Sequence, residues 1–286
     1  MKKFKKVTIT CNSFDKDIQA IINQCKEVLE NIDVKIESII NLGEINKSKK
    51  VNFKKIASNS DLIISIGGDG TMLSCSRELG YFGVPILGIN LGNLGFLTDI
   101  APEEITSRLL EVVKGSYTEE KRSFLDISIN EKSNNLLALN EAVIHSGAVA
   151  KLIGYQVFID GVFVFRQQAD GLIISSPTGS TAYSLSGGGP IVHPSLESII
   201  LLPMFPHSLN SSPLIIKDNC EIMIELVGKS NKAKLSMDSH NLVDLKKGDI
   251  IKIKKSVMKL TLVHPLGHDF FSACRNKLGW SSGITN

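Results

Sequence analysis

The stretch "DLIISIGGDGTML", residues 61–73, decides the fold of the first part of the chain. An apolar, β-branched run of strand length ends in three glycines set around one acid, and a segment compatible with a helix follows. Strand, glycine turn and helix in that order form the repeating unit of an α/β sheet. Such a turn offers backbone N–H groups and the positive end of a helix, which favours phosphate. Asp69 then stands out, because a carboxylate repels phosphate. The spacing fits neither the dinucleotide fingerprint GxGxxG nor the P-loop GxxxxGK[ST]. A carboxylate beside a phosphate site can accept a proton from an attacking hydroxyl or help to hold Mg²⁺. A purely structural βα turn is the alternative.

Working outward, "VTIT" (7–10), "VKIESII" (34–40) and "VPILGIN" (84–90) read as further strands, and 15–32 reads as an amphipathic helix. Residues 102–114 predict a helix with Pro102 in its first turn, Glu103 and Glu104 at its positive end, and Gly115 as its stop. Alternation of this kind implies a mostly parallel, covered, Rossmann-like sheet. From about residue 122 the texture changes to short strands: "LDISIN", "LLALNEAVI", "IGYQVFI", "VFVFRQQ", "GLIISS", "EIMIELV", "AKLSMD", "IIKIKK" and "KLTLVH". Asp160-Gly161 in "VFIDGVFVF" is a preferred two-residue hairpin turn. The tail "HDFFSACRNKLGW" (268–280) returns to helical spacing. The expected organisation is an α/β N-terminal domain over 1–120, a β-rich domain over 121–267, and a tail, 268–286, packing back on the first domain.

With 286 residues the chain has room for two cores. Lys+Arg 32 against Asp+Glu 29 gives a net charge of +3, which argues against a nucleic-acid or membrane-surface role. Five scattered cysteines without metal spacing predict reduced thiols in a cytoplasmic protein. No signal-peptide core follows the basic "MKKFKK", and the longest apolar run, "IILLPMF", is too short to span a bilayer.

Three more stretches carry candidate chemistry. "NLGNLGFLTD" (90–99) is a second glycine-punctuated turn after a strand; two such loops at the carboxyl ends of neighbouring strands face one crevice. Asn140 and Glu141 interrupt the apolar run "LNEAVI" (139–144) and need a partner or a cavity. "QQADGLIISSPTGSTAYSLSGGGPIVHP" (167–194) gathers hydroxyls and glycines suited to ribose, amide or phosphate contacts. It lacks GxSxG, so serine-hydrolase chemistry gains nothing from it. His145, His193, His207 and His264 lie on separate segments and read as packing or surface residues; His240 reads as a turn residue.

In this order, "GGDGT", "NLGNLGFL", "NEAV" and "DGLIISSPTGSTAYSLS" with "GGP" resemble the NAD kinase family. The resemblance runs from about residue 60 to "LGW" at 278–280. "GGDGT" alone is shared with diacylglycerol and sphingoid lipid kinases, and phosphofructokinases have a related motif; the "PTGSTAYSLS" block is the specific part. The resemblance implies ATP-dependent phosphorylation of the 2′-hydroxyl of the adenosine ribose of NAD, a divalent cation such as Mg²⁺, and a homo-oligomer, dimer or tetramer. Position by position it implies Asp69 as the catalytic aspartate, with Gly67, Gly68, Gly70 and Thr71 as the phosphate loop. It implies Asn140 and Glu141 on the nucleotide, Asp170 near the nicotinamide end, and Phe96 near the adenine. Thr181, Ala182, Tyr183, Ser184 and Ser186 would wrap the adenosine side. Lys151 and Gln168 stand where arginine is common and His240 where glutamine is common, departures that bear on NAD against NADH selectivity. Gly187 replaces the usual alanine. Two rival readings are a lipid kinase, which the polar "TGSTAYSLS" block lines poorly, and an NAD(P)-binding regulator without turnover.

Overall fold

The first strands form because their apolar residues alternate. In β1 (Lys6–Cys11), Val7, Ile9 and Cys11 point to one buried layer, and Thr8 and Thr10 to the other. The computed structural model describes residues 3–44, 51–92, 95–147, 151–208, 211–228 and 232–280. They divide into two units, 1–122 with 259–286, and 123–258. The unit boundaries fall inside two long strands, β5 (Tyr117–Ile129) and β16 (Ile250–Pro265).

In the first unit β1 lies between β2 (Lys35–Asn41) and β3 (Leu62–Ile66). Next come β4 (Ile86–Ile89) and the end of β16, with all of these pairs parallel. Helix α1 (Lys16–Glu30) begins at Asp15, whose side chain accepts the Ile18 amide at 3.0 Å, a cap worth about 1 kcal/mol. Its stripe Ile18, Ile21, Ile22, Cys25, Val28 and Leu29 packs with α4 (Ile105–Val113) in one apolar cluster, together with Val7, Ile9 and Cys11. Pro102–Glu104 form a 3₁₀ turn ahead of α4, so the predicted helix over 102–114 starts as the tighter form. After α2 (Phe53–Asn59), helix α3 (Asp69–Leu79) lies toward the threonine side of β1: Thr10 Oγ1 meets Cys75 Sγ at 3.4 Å. The short helix α5 (Tyr183–Ser186) lies in the second unit, and the last helix, α6 (Phe270–Leu278), belongs to the first.

The second unit is built from antiparallel strands. One set runs β16, β13 (Ile222–Val227), β8 (Ile153–Ile159) and β9 (Val162–Ala169), with β6 (Lys132–Ala138) beside β5. The other is a six-stranded sheet. Its order is β12 (Leu214–Lys217), β11 (Ser198–Met204), β10 (Gly171–Ser175), β7 (Glu141–His145), β14 (Ala233–Met237) and β15 (His240–Leu245). Inward residues of both, such as Tyr155, Ile224 and Ile253 from one and Ile144, Ile174 and Leu235 from the other, share one apolar cluster. Asp160 and Gly161 take φ of +50° and +78°, as their hairpin turn requires.

Two strand readings are corrected. "IIKIKK" and "KLTLVH" are one sixteen-residue strand, because inward residues continue through the lysines and Ser256 is buried while Val257 points outward. "LLALNEAVI" is two strands, β6 and β7, broken at Leu139–Asn140 where the backbone turns to another partner. All five cysteines are free thiols.

Candidate active site

In the first unit Asp69 opens α3, with Gly68 as its N-cap, and β3 delivers it. Gly67 N–H donates to the Ile89 carbonyl at 2.9 Å, tying the ends of β3 and β4 together. The second glycine turn then closes on the first. The Phe96 amide donates to Asp69 Oδ2 at 3.1 Å and the Leu97 amide to Oδ1 at 3.0 Å, so each carboxylate oxygen is held by a backbone N–H. Thr98 braces that turn: its Oγ1 accepts from Asn90 Nδ2 at 2.8 Å and from the Gly95 amide at 3.1 Å. Gly95 is required by space, since a β-carbon there would collide with Asp69 Oδ1 and Thr98 Oγ1. Asn93 and Leu94 lie outside the described residues. Space beside Gly68 and Gly70 is open, and Thr71 follows in the first turn.

The first unit therefore gathers Gly67, Gly68, Asp69, Gly70, Thr71 and Phe96 into one loop pair. It also adds a residue that the motifs do not contain. Lys277, in the last turn of α6, places Nζ 2.8 Å from Asp69 Oδ2 and 5.2 Å from the centre of the Phe96 ring. None of the quoted motifs joins it to the glycine loop, because 208 positions separate the two residues.

Two residues beyond Leu97, Asp99 meets two stacked imidazoles, His264 and His268, whose rings lie 4.0 Å apart at 15°. His264 Nδ1 faces Asp99 Oδ2 at 2.5 Å, His268 Nδ1 faces Oδ1 at 2.8 Å, and His264 Nε2 faces Glu120 at 3.1 Å. The ligand atoms of Asp99, His264 and His268 are close enough to be considered for a metal. Parallel rings, however, send their in-plane lone pairs side by side instead of toward one point. Both nitrogens of His264 face carboxylates, so the cluster is one of hydrogen-bonded charges. Burial alone would push His264 down, but the bonds to Asp99 and Glu120 raise it to about 9. Burial would likewise raise Asp99 and Glu120, yet bonds to His264 bring each to about 2, helped by His268 at Asp99 and by Arg122 at Glu120. His264 is thus a buried structural cation, more than the packing residue expected.

In the second unit Asn140 and Glu141 sit at the start of β7, both buried, and the block after β10 wraps them. The Asn140 carbonyl accepts from the Ser176 amide at 2.8 Å and from Ser175 Oγ at 3.3 Å, and it approaches Gly179 so closely that any β-carbon there would clash. Asp238, in the β14–β15 turn with φ +47°, accepts three successive amides: Leu139 at 2.8 Å, Asn140 at 2.8 Å and Glu141 at 3.2 Å. Burial, with the Asp238 charge beside it, pushes the Glu141 carboxyl up to about 8, against the Tyr183 amide that hydrogen-bonds to it. Asn140 Oδ1, Glu141 Oε2 and Ser184 Oγ are buried and have no hydrogen-bond partner among the described residues. Buried polar atoms in that state call for a partner, a water or a ligand.

Tyr183 and Ser186 are exposed, Thr181 and Ala182 are half-buried, and Thr181 Oγ1 donates to the Thr178 carbonyl at 3.4 Å. Asp170 is half-buried between β9 and β10, its amide on the Met204 carbonyl at 3.0 Å. Three further candidates are exposed. Lys151 is exposed ahead of β8; Gln168 is exposed on β9, paired with Gly154; His240 is exposed, opposite Met237 beyond the Asp238 turn. The sequence reading missed Asp238, although an acid closing the run "AKLSMD" before a turn is the available signal.

Comparison with known proteins agrees with this geometry. A family model described as ATP-NAD kinase N-terminal domain matches residues 4–117, and one described as ATP-NAD kinase C-terminal domain matches residues 139–265. An NAD kinase of Marinobacter nauticus is 41% identical over 292 residues, covering 99% of each chain. One of Chromohalobacter salexigens is 48% identical over 229 residues, covering 78% of each. Among solved structures, a yeast NADH kinase complexed with NADH superposes with TM-score 0.87 at 28% identity, over 99% of this chain and 90% of that one. An NAD kinase from Archaeoglobus fulgidus in complex with ATP gives 0.76 at 29% identity, over 96% and 97%. With both domains matched in order and the glycine loop, the "NEAV" pair and the hydroxyl block folded as they are, this chain belongs to the NAD kinase family.

Proposed function

We propose that this protein transfers the γ-phosphoryl group of ATP to the 2′-hydroxyl of the adenosine ribose of NAD, giving NADP and ADP, with Asp69 as general base. The observation that carries the role of Asp69 is its fixed carboxylate, each oxygen held by one amide of the 95–97 turn at the mouth of a glycine loop. A ribose hydroxyl is a weak nucleophile until its proton is leaving. As its oxygen attacks the γ-phosphorus, the bond to the bridging oxygen breaks, ADP departs with that electron pair, and the proton passes to Asp69. A positioned base contributes ~10²–10⁴-fold, and alignment supplies much of the rest.

In the loop of Gly67, Gly68, Gly70 and Thr71, the open space beside Gly68 and Gly70 suits the donor phosphates, while the Thr71 side chain packs against Gly67. The partnerless oxygens of Asn140 and Glu141 suit the hydroxyls and amide of the acceptor nucleotide. Phe96, Asp170, Thr181, Ala182, Tyr183, Ser184 and Ser186 complete its contacts, and Lys151, Gln168 and His240 tune its selectivity. Mg²⁺ fits the first unit as an ion carried mainly by the phosphates, with Asp69 as the carboxylate nearest the glycine loop, which is its usual manner of binding. When bound it neutralises charge on the transferring group. A homo-oligomer is supported by the edge strand β9, which leaves Val162, Phe163 and Val164 exposed. Five free thiols fit a cytoplasmic, reducing setting.

The test is one assay of purified protein with ATP, Mg²⁺ and NAD, following NADP, and with diacylglycerol as the parallel acceptor. NADP formation is expected. Turnover of the lipid alone, or NAD binding without NADP, would replace this reading by one of its rivals.

A further inference from the structure

Helix α6 is fixed at three places before it reaches the loop. Asp269 caps it, accepting from the Phe271 and Ser272 amides at 3.0 and 3.1 Å, and also holds Arg275 at 3.2 Å. Cys274 is buried, and the Phe270 ring lies 6.2 Å from that of Phe96. A helix anchored at its start and on its inner face delivers Lys277 to one place, Asp69 Oδ2. That contact is at odds with the task of the carboxylate. A carboxylate oxygen that holds an ammonium is occupied, whereas a general base must meet a hydroxyl at that oxygen.

We propose that Lys277 is a positioning residue with two successive partners: Asp69 before the phosphoryl donor arrives, and a phosphate of the donor afterwards. The inference rests on the reading of Asp69 as base and ATP as donor. A polyphosphate brings several negative charges against one on Asp69, so it competes well for a flexible ammonium. Both side chains keep about 30% of their surface open, 31% for Lys277 and 28% for Asp69, so the exchange strands no buried charge. When the ammonium leaves, the Phe96 and Leu97 amides still hold the carboxylate. Its position is kept while Oδ2 is freed to meet a hydroxyl. Donor binding and activation of the base thereby become one event.

The experiment uses the full chain and compares Lys277→Met and Lys277→Arg with the unaltered protein. Calorimetry with Mg²⁺-ATP and, separately, with NAD reads affinity without turnover. Loss of the ammonium is expected to weaken ATP ~10-fold while arginine keeps most of the affinity, and NAD is expected to bind all three alike. A helix that merely braces the fold would not separate ATP affinity from NAD affinity in this way. Unchanged ATP affinity in Lys277→Met, with NADP still formed, overturns the inference and leaves the reaction standing. ATP affinity that depends on Lys277 in a protein that makes no NADP supports the clamp and overturns the reaction.

Discussion

Gly95 leaves empty the space that the Asp69 carboxylate fills, and a β-carbon at that position would collide with Oδ1. Gly95→Ala is therefore expected to push the carboxylate aside without disturbing the core, since neither collision involves an apolar residue. Misplacing a base in this way should lower kcat by ~10²-fold with Tm nearly unchanged. A Gly95→Ala enzyme of normal kcat would show that the position of Asp69 does not matter.

Asp69→Asn keeps the shape and one of the two amide contacts, since its Nδ2 cannot accept an N–H, and it cannot take a proton. We expect kcat to fall ~10²–10⁴-fold while the Kd for NAD, read by calorimetry, stays within a factor of about two. A parallel loss of NAD affinity would move Asp69 from chemistry to binding.

Asp238→Ala removes the acceptor of three amides, those of Leu139, Asn140 and Glu141. Bonds to a charged acceptor are worth ~1.5–3 kcal/mol each, so the cost in urea unfolding should be roughly 3 kcal/mol or more. NAD should bind more weakly, because the backbone that aims Asn140 and Glu141 is released. The Glu141 carboxyl should at the same time titrate lower, having lost the neighbouring charge.

The pH dependence of stability separates two clusters. His264 is raised to about 9 from an ordinary 6.5, so its contribution is complete below 6.5 and is lost as pH climbs through 9. Asp99 and Glu120, at about 2, contribute fully above their ordinary values of 3.8 and 4.5, and lose that contribution as pH falls toward 2. Glu141, raised to about 8 from 4.5, keeps a proton in the folded chain that the unfolded chain releases, so stability declines from pH 4.5 to 8 and then levels. Tm measured against pH should therefore lose its decline between 4.5 and 6.5 in Glu141→Gln, and its decline above 8 in His264→Gln. The same slopes in the variants and the unaltered chain would refute both assignments.

Phe163 is 55% exposed on the edge strand β9. Phe163→Glu is expected to reduce the mass seen by light scattering while the isolated chain stays folded. An unchanged mass would place the assembly surface elsewhere.

Local sequence was enough for elements whose signals lie within a few residues. The alternation in "VTIT", the glycines of "GGDGT" and the Asp160-Gly161 turn each state their own backbone, because side-chain period and φ preference are local properties. The block "PTGSTAYSLS" was likewise legible as ordered structure, since its nearly charge-free composition suits no solvated linker. Other features were not legible. "LNEAVI" reads as one strand with its neighbours until Asp238 takes its amides from almost a hundred positions away. "IIKIKK" reads as ending in lysines, although Ser256 turns inward and the strand goes on.

By itself, then, the sequence determined the two kinds of unit, the glycine loop with its acid, and the buried pair Asn140–Glu141. Those depend on period, propensity and composition. Tertiary structure alone decided what touches them: the amides of 96 and 97 on Asp69, the α6 lysine beside it, Asp238 beneath 139–141, and two imidazoles on Asp99. Each is a charge meeting a partner more than twenty residues away. The energy of such a pair depends on distance and burial in space, and neither is written in the order of residues.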